Sequence, residues 1–413
     1  MSAFHRIQKL AAQRDVHAAF QWLHLHEPQI RRWQMELVAI PAPPFGEAQR
    51  AAWLLERFIE LKLENAHIDS EGNVLAASVN LSSRSAAEGP ASPSLQTILL
   101  SAHLDTVFPE GTPCEPHEVE QKILAPGICD NAAGVVALLS IAAALAHANI
   151  STSKKIIFCG NVGEEGEGNL RGMRHIFSGA HNIQTAIALD GGGTDTVVTQ
   201  ALGSRRFRVN ITGPGGHSWT DAGSPNPALV LSRALVAISE LQLPNRPRTT
   251  LNIGTIAAGT SVNSIPQSAQ AQIDTRSPDP GELLRLEVFL HRAVEDSVLA
   301  ANKLAQKEHR AERLAYTISP LGDRPSATLP DDSPLLETIH AVDRHLSLKT
   351  APRLGSTDAN IPLSLGIPAV AMGAGGTGGG VHTTAEWFDP AGREIALRRI
   401  LLTLLDLSSP TLI

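Results

Sequence analysis

Cysteine is scarce in this chain. Its 413 residues include three cysteines, Cys114, Cys129 and Cys159, an odd number without the spacing of a zinc finger. We therefore expect reduced thiols rather than a disulfide framework. Long apolar runs are also lacking, since the longest, 134–146, is too short to cross a bilayer, and the first thirty residues contain no apolar core of a secretory signal. These absences predict a cytoplasmic protein with no membrane partner.

Positive charge is not in excess. The chain has 34 lysine and arginine residues against 41 aspartate and glutamate residues, and its formal net charge is −7. No basic stretch is dense enough to offset this balance, so we expect no nucleic-acid partner. A chain of 413 residues exceeds what one hydrophobic core usually supports, which favours two domains or one domain with a large insertion.

The segment 98–111 passes from a wholly apolar run directly into His103 and Asp105. In a parallel sheet both faces are covered, so the strands are continuously apolar and the functional residues follow their carboxyl ends. A histidine that binds a metal through one nitrogen needs an acceptor for its other N–H, and a carboxylate two residues on can supply it. Taken alone, a His-x-Asp is equally typical of a surface turn.

Two further apolar runs end in acidic residues. The run 155–159 leads into Glu164 and Glu165, and the run 185–189 leads directly into Asp190. Adjacent glutamates point in different directions, so one can hold a metal while the other handles a proton. Each acidic segment alone is typical of a solvated loop, but several strands that deliver such residues to one edge of a sheet predict a shared site.

Two glycine-bordered positions add a candidate each. Asp130 follows Gly127 where a loop enters an apolar helix. A lone aspartate there is most often a helix cap, although the small residues around it favour backbone packed closely against the carboxylate. His382 follows the glycine-rich loop 373–380, which would allow the chain to wrap around a site.

The alternation of strands and helices changes character between 202 and 320. There the pattern predicts an antiparallel sheet with two helices on one face. We therefore predict an α/β catalytic domain formed by 1–201 and 321–413, and an inserted α+β domain, 202–320, that acts as a lid or dimerisation domain. The segment 82–94, rich in serine, alanine, glycine and proline, predicts an exposed and mobile connection.

The candidates together comprise two imidazoles and three carboxylates, which suit two zinc ions with one bridging carboxylate and a water between them. They are His103, Asp130, Glu165, Asp190 and His382. Such a metal pair lowers the pKa of its water and polarises a carbonyl group. A further carboxylate can take a proton from that water and pass it to a leaving amine.

In this order the motifs resemble those of the zinc-dependent exopeptidase family of the M20 type, over nearly the whole chain. The motifs that carry the resemblance are His-x-Asp at 103–105, Gly-x-x-Asp-Asn at 127–131, Glu-Glu at 164–165, Asp190, Gly-Gly-His at 215–217 and His382. Their combination is more specific than any one of them. The resemblance implies a zinc-exopeptidase α/β domain with an inserted lid or dimerisation domain, and a homodimer.

The resemblance also implies the metal ligands. Asp130 would bridge the two metals, Glu165 and His382 would complete one site, and His103 and Asp190 would complete the other. Family members often have a cis peptide bond after the bridging aspartate.

Further roles follow from the same resemblance. Glu164 would be the general base, Asp105 would orient His103, and His217 would reach the reacting carbonyl, commonly across a dimer. The substrate carboxylate would be bound by a set of residues from two segments and a loop. These are Asn263, Arg276, Gly355 and Ser356, of which the last two lie in a loop that supplies backbone donors.

We therefore expect a di-zinc metallopeptidase, an exopeptidase of the di- or tripeptidase kind, in which Glu164 activates a metal-bridged water. Cobalt and manganese are alternatives to zinc. At this position the family has either Asp or Glu, and Asp190 resembles the peptidase branches, whose substrates have a free amine, more than the deacetylase branches. Ala132 stands where many relatives carry a lysine. An N-acyl amino acid amidohydrolase is the alternative enzyme. A non-catalytic peptide or amino-acid binding protein is the alternative of another class, but it would not need Glu164.

Overall fold

The computed structural model describes residues 1–78, 96–179, 181–308 and 313–409. The predicted connection 82–94 lies outside the described residues. The chain forms two compact units, one of Met1–Ala201 with Thr328–Ile413 and the other of Leu202–Ala327. The inserted unit therefore ends later than the predicted residue 320, because its last strand continues to Arg324.

Helices and a large mixed sheet form the first unit. The helices are α1 (Ala3–Ala11), α2 (Arg14–Leu25), α3 (Glu27–Val38), α4 (Ala48–Glu60), α5 (Ala132–His147), α6 (Arg171–Ser178), α9 (Pro334–His345), α10 (Asn360–Ser364) and α11 (Arg393–Ser408). The strands of the large sheet are β1 (Glu64–Ile68), β2 (Val74–Ala77), β3 (Thr97–His103), β6 (Lys155–Asn161), β7 (Ile183–Leu189), β8 (Thr196–Ala201), β15 (Ala327–Thr328), β16 (Ala351–Gly355) and β17 (Ala369–Met372). A small sheet contains β4 (His117–Val119), β5 (Lys122–Leu124), β18 (Thr377–Gly379) and β19 (Trp387–Asp389).

The large sheet has the strand order β1-β2-β6-β3-β7-β17-β8-β15, with β16 paired to β8. Its centre is parallel: β3 pairs in parallel with β6 and β7, and β7 with β17. The carboxyl ends of these strands therefore lie at one edge of the sheet, which is where ligands bind in α/β folds.

Helix α5 is the apolar centre of the helical layer. Its residues from Ala132 to Leu145 are buried on every face, because α2, α3 and α11 pack against it and it lies on β3. The N-terminal helices α2 and α3 thus cover an apolar helix that would otherwise meet water. Among the described residues, no helix is both long and apolar enough to cross a membrane.

The second unit is an antiparallel sheet covered by two helices. Its elements are β9 (Gly203–Thr212), β10 (Gly216–His217), α7 (Pro227–Ser239), β11 (Thr250–Ala258), β12 (Ser264–Ile265), β13 (Ser268–Ser277), α8 (Pro280–Lys307) and β14 (Ala315–Arg324). The sheet order is β11-β13-β9-β14, and β10 and β12 form a separate ribbon. Alternate residues of β13 are buried and pack with α7 and α8 in one core. The predicted α/β fold with an inserted α+β unit is confirmed.

Candidate metal centre

Polar side chains from three parallel strands meet at the carboxyl edge of the large sheet. β3 ends at His103, β6 leads into Glu164 and Glu165, and β7 leads into Asp190. The parallel register aligns these ends, since His103 is opposite Asn161, the last residue of β6. The structure thus brings the predicted strand-end residues to one place.

Asp130 lies between two groups of possible ligands. In the first group His103 Nε2 is 3.1 Å from Asp130 Oδ1 and 3.9 Å from Asp190 Oδ1. In the second group His382 Nε2 is 3.1 Å from Asp130 Oδ2 and 3.0 Å from Glu165 Oε1. The ligand atoms of each group lie within 4.8 Å of one another. Because each oxygen of Asp130 faces a different group, this carboxylate is placed to bridge two ions.

Asp130 is not the cap of helix α5. The cap is Asn131, whose side-chain oxygen accepts the N–H of Gly134 at 3.0 Å. The Asn131 amide also donates to the carbonyl of Leu189 at 2.8 Å, and its oxygen accepts the N–H of Gly191 at 3.1 Å. The Asp130–Asn131 peptide bond is cis, as the family resemblance implies. Asn131 therefore makes the hydrogen bonds to the helix and to the end of β7, and the Asp130 carboxylate faces the two groups of possible ligands.

The donor set fits a pair of divalent cations. Asp130 Oδ1 is buried and accepts no hydrogen bond from any residue that the structure describes, although the His103 ring is close to it. A buried carboxylate oxygen without a partner is costly, and a cation would satisfy it. Imidazole nitrogens with carboxylate oxygens, and no thiolate, suit zinc, cobalt or manganese in a catalytic role.

The charges of the site also favour a cation. Burial opposes ionisation of Asp130, but the imidazoles of His103 and His382 hold its pKa below the usual range. The bond with Asp130 raises the pKa of His382 to about 9. Burial, followed by the charge of Asp130, raises the pKa of Glu165. Carboxylates outnumber imidazoles here, so the cluster carries surplus negative charge that bound cations would neutralise.

Asp105 ties the two glutamates to the strand end of His103. Its buried carboxylate accepts the main-chain N–H groups of Glu164 at 3.0 Å and Glu165 at 2.7 Å. The His103 Nδ1–H donates to the carbonyl oxygen of Asp105 at 3.1 Å, whereas the carboxylate is 3.6 Å from Nδ1. In the structure the main-chain carbonyl of Asp105 is therefore closer to Nδ1 than its carboxylate is. Nε2 of His103 is left facing the carboxylates.

Glu164 is buried beside this pair. With His103 and Glu165 it forms a third group of possible ligands, whose atoms lie within 4.8 Å of one another, and it is not in the two groups that share Asp130. Its position leaves it beside the ions that those groups could hold. A buried carboxylate in this position can bind an ion or accept a proton.

Two side chains that the sequence analysis missed hold the loop of Asp130. Glu386 accepts hydrogen bonds from three main-chain N–H groups of the loop 127–130. Gln34, in α3, donates to the carbonyl of Ile128 at 2.7 Å. The one available signal was the position of Glu386, four residues after His382. Gln34 has no comparable signal, since it is distant in sequence from every ligand.

The predicted substrate loop with Gly355 and Ser356 lies near the same sheet edge. Asn161, at the end of β6, donates to Asp358 Oδ2 at 2.8 Å. Burial raises the pKa of Asp358 to about 7. This buried contact, which the sequence did not predict, ties the substrate loop to the strand that leads into Glu164.

The second unit places the remaining candidates on two different elements. His217 in β10 pairs with Ser264 in β12, and the carbonyl of Asn263 accepts the N–H of Ser218 at 3.1 Å. The Nδ1 atom of His217 accepts the N–H of Trp219 at 3.1 Å. The two predicted residues therefore share one exposed ribbon.

Arg276 lies on β13, apart from that ribbon. Its Nε donates to Asp274 Oδ2 at 2.8 Å, and its side chain is 42% exposed. The guanidinium is thus in an exposed ion pair in this unit, a common arrangement for a strand-end arginine.

An open cleft of about 400 Å³ borders Asp130 and Asp190. Its walls are largely main chain, because residues 191–193 and Gly378 are glycines. Cys129 also lines the cleft; its Sγ accepts the N–H of Gly192 at 3.2 Å, and burial raises the pKa of the thiol to about 12. The candidate metal centre is therefore open on the side of Asp190.

Comparisons with known proteins agree with this architecture. The family model described as peptidase family M20/M25/M40 matches residues 99–406. The aminopeptidase PepT from Bacillus cereus is similar, with a TM-score of 0.69 at 19% identity over 92% of this chain and 98% of that chain. A tripeptidase from Staphylococcus aureus is similar with a TM-score of 0.72 at 21% identity, over 92% and 98%. The di-peptidase Dug1p from Saccharomyces cerevisiae is similar with a TM-score of 0.64 at 12% identity, over 96% and 99%.

A comparison with curated protein sequences found no match. At these identities the solved structures establish the fold, and the match to the family model establishes the family. Its match begins within β3 and ends within α11, so that it contains both groups of ligands and the glutamate beside them. The family predicted from the motifs is confirmed: this chain belongs to peptidase family M20/M25/M40, a family of metallopeptidase enzymes.

Proposed function

We propose that the protein is a dinuclear metallopeptidase that cleaves short, unblocked peptides as a di- or tripeptidase. The observation that carries this proposal is the position of Asp130, whose two oxygens each lie 3.1 Å from a different imidazole. A binding protein needs neither this bridge nor a buried glutamate beside it. The solved structures named as an aminopeptidase, a tripeptidase and a di-peptidase support the same class of substrate.

Two zinc ions, with cobalt or manganese as alternatives, would lower the pKa of a water molecule and polarise the peptide carbonyl. Asp130 would bridge them, with Glu165 and His382 on one side and His103 and Asp190 on the other. A similarly folded protein, YXEP from Bacillus subtilis, is described as a dinuclear metal binding peptidase.

The residues of this chain would then move protons and stabilise charge. Glu164 would remove a proton from the attacking water and deliver it to the leaving amine, so that the peptide bond breaks and both products are released. Asp105 holds the main chain of Glu164 in place for this transfer.

His217 has the tautomer that carbonyl stabilisation requires. Because its Nδ1 accepts the Trp219 N–H, the neutral ring carries its proton on Nε2. That N–H can donate to the carbonyl oxygen as negative charge develops on it. We propose that His217 acts in this way across a homodimer.

The substrate carboxylate would be bound by Asn263, Arg276 and the loop of Gly355 and Ser356. A guanidinium suits a carboxylate because it can donate two parallel hydrogen bonds. The Arg276 guanidinium would then be shared between its present partner, Asp274, and the substrate carboxylate.

The second unit supports the homodimer by its exposed apolar side chains. Ile256 on the edge strand β11 is 63% exposed, and Leu229 and Val236 on α7 are 60% and 55% exposed. An edge strand with open main-chain groups is a natural pairing surface for a second copy. We also propose a cytoplasmic location, which the three free thiols support.

An amidohydrolase acting on N-acyl amino acids is the second candidate. It is favoured by the fold of an aminobenzoyl-glutamate utilization protein from Klebsiella pneumoniae, which is similar at a TM-score of 0.64. Hydrolysis of one free tripeptide and its N-acetylated counterpart, with products identified by mass, separates the candidates. Release of the first residue from the free form alone supports the peptidase, and release of acetate supports the amidohydrolase. No reaction with either one favours a binding protein.

The role of Glu164 is tested by Glu164→Ala. We expect kcat to fall about 10²- to 10⁴-fold while two metals remain bound, because a general base is lost and the proposed ligands are kept. Glu167→Gln, at an exposed glutamate in the same loop, is the control and should retain activity. Full turnover by metal-loaded Glu164→Ala would remove Glu164 from this role.

A further inference from the structure

Glu386 is a buried carboxylate that belongs to neither group of metal ligands. Its Oε2 accepts the N–H of Gly127 at 2.7 Å, and its Oε1 accepts the N–H groups of Cys129 and Asp130, both at 2.8 Å. Since both oxygens are engaged, the carboxylate is held against rotation. Main-chain N–H groups that converge in this way form a binding site for an anion.

The main chain of Glu386 holds the same segment. Its carbonyl accepts the N–H of Ala125 at 3.1 Å, and the next residue, Trp387, pairs with Leu124 across the small sheet. The segment of Glu386 and the loop of Asp130 are therefore joined by main-chain as well as side-chain bonds. His382 lies four residues before Glu386, so both segments contribute to the group that shares Asp130 Oδ2.

We propose that Glu386 is a positioning residue of the metal centre. By binding the N–H of Asp130 it sets the direction of the bridging carboxylate, and by joining the two segments it fixes Asp130 relative to His382. This inference rests on the metal centre of the proposed function.

A capping role alone explains this carboxylate less well. A water molecule or a neutral oxygen could satisfy N–H groups of a loop, whereas a buried anion is costly unless it is well bonded. Charge-assisted bonds are about twice as strong as neutral ones, and they are short here. The negative charge also lies against the loop of a ligand that must bind cations. Residues that hold ligands of a metal in place typically change metal affinity 10- to 100-fold when they are replaced.

Glu386→Gln is the main test, because it keeps the side-chain volume and replaces one oxygen by an amide. The amide nitrogen would face a main-chain N–H, donor against donor. We expect the dissociation constant for zinc to rise 10- to 100-fold, measured on the metal-free protein by competition with a chromogenic chelator. The gain in Tm on metal loading should shrink accordingly.

Asp69→Asn is the matched control. Asp69 Oδ1 also accepts three main-chain N–H groups, those of Glu71, Gly72 and Asn73, each at 2.9 Å, but Asp69 is in neither ligand group. Its replacement should lower Tm of the metal-free and loaded protein equally and leave the zinc affinity within about twofold of the wild type. The control therefore shows what a purely structural carboxylate does.

Glu386→Asp covers the case in which the glutamine variant does not fold. It keeps the charge and both acceptor oxygens but is shorter by one methylene group, so we expect a folded protein with weakened zinc affinity. Wild-type affinity in either folded variant, with an equal loss of Tm in both forms, would overturn the proposal for Glu386 alone. A wild-type protein that bound no divalent metal would overturn the metal centre and this proposal together.

Discussion

Replacement of Asp105 by asparagine tests how the strand end organises the site. The carboxylate is fully buried and accepts the N–H groups of Glu164 and Glu165 at 3.0 and 2.7 Å. Asparagine keeps one oxygen, so one N–H keeps an acceptor and the other faces an amide nitrogen. The bond of His103 Nδ1 to the main-chain carbonyl is kept, because the substitution leaves that carbonyl in place.

The expected loss of stability follows from these bonds. A hydrogen bond to a charged group contributes about 1.5–3 kcal/mol, and a buried donor without a partner costs about 1–3 kcal/mol. We therefore expect Asp105→Asn to lower the free energy of unfolding by about 3 kcal/mol. For a large domain, about 2 °C per kcal/mol corresponds to a fall in Tm of roughly 6 °C.

The expected loss of activity is larger than stability alone would give. Asp105 binds the main-chain N–H groups of both glutamates, so the loss of one bond should displace their side chains. A displacement of about 1 Å in a reacting group can lower the rate about 10²-fold. Turnover should be measured well below Tm, with metal in excess, so that nearly all of the protein is folded and loaded. Asp69→Asn, which also disturbs main-chain bonds of a carboxylate, should keep its turnover. If Asp105→Asn loses Tm but keeps wild-type kcat, Asp105 stabilises the fold and does not position Glu164.

Three further outcomes are expected. Removal of metal by a chelator should abolish hydrolysis and lower Tm, since metal at 1,000 times its dissociation constant stabilises the folded state by about 4 kcal/mol; an unchanged Tm would contradict the metal centre. Arg399→Met should lower the free energy of urea unfolding by about 3–5 kcal/mol, because the buried Asp343 carboxylate loses the guanidinium that donates to it at 2.8 Å. The double variant with Asp343→Leu should recover part of that loss, since it also removes the unpaired charge. Val236→Glu should shift a sedimenting dimer to a monomer without changing the circular dichroism, and a monomeric wild type of full activity would contradict the role of His217 across subunits.

The sequence predicted the part of the site that lies at strand ends. His103, Glu164 and Asp190 each follow an apolar run, and buried parallel strands make such runs visible without any knowledge of tertiary contacts. The inserted unit was visible for a similar reason, since the buried residues of β13 alternate with period two. In the structure the unit extends beyond the predicted residue 320, because β14 continues to Arg324.

The role of Asp130 could not be predicted from the local sequence pattern alone. An aspartate at the start of a helix is typical of a cap, and only the structure assigns that task to Asn131. The family resemblance predicted the bridging role, because it compares the order of motifs along the whole chain. The orienting role of Asp105 shows the opposite case, since a His-x-Asp spacing does not say whether the carboxylate or the carbonyl will bind the imidazole.

Glu386 and Gln34 could not be predicted in this way, because both act on main-chain groups of a loop that is far away in the sequence. In the sequence, a glutamate that binds three N–H groups cannot be distinguished from a glutamate on the surface. It also produces no periodic pattern of apolar and polar residues. The need for such residues follows instead from the main-chain groups of the loop. Buried N–H and C=O groups must have partners, and the loop 127–131 has no strand or helix of its own to supply them. A loop that carries a metal ligand therefore requires acceptors from elsewhere, and the residues that provide them control where the ligand points.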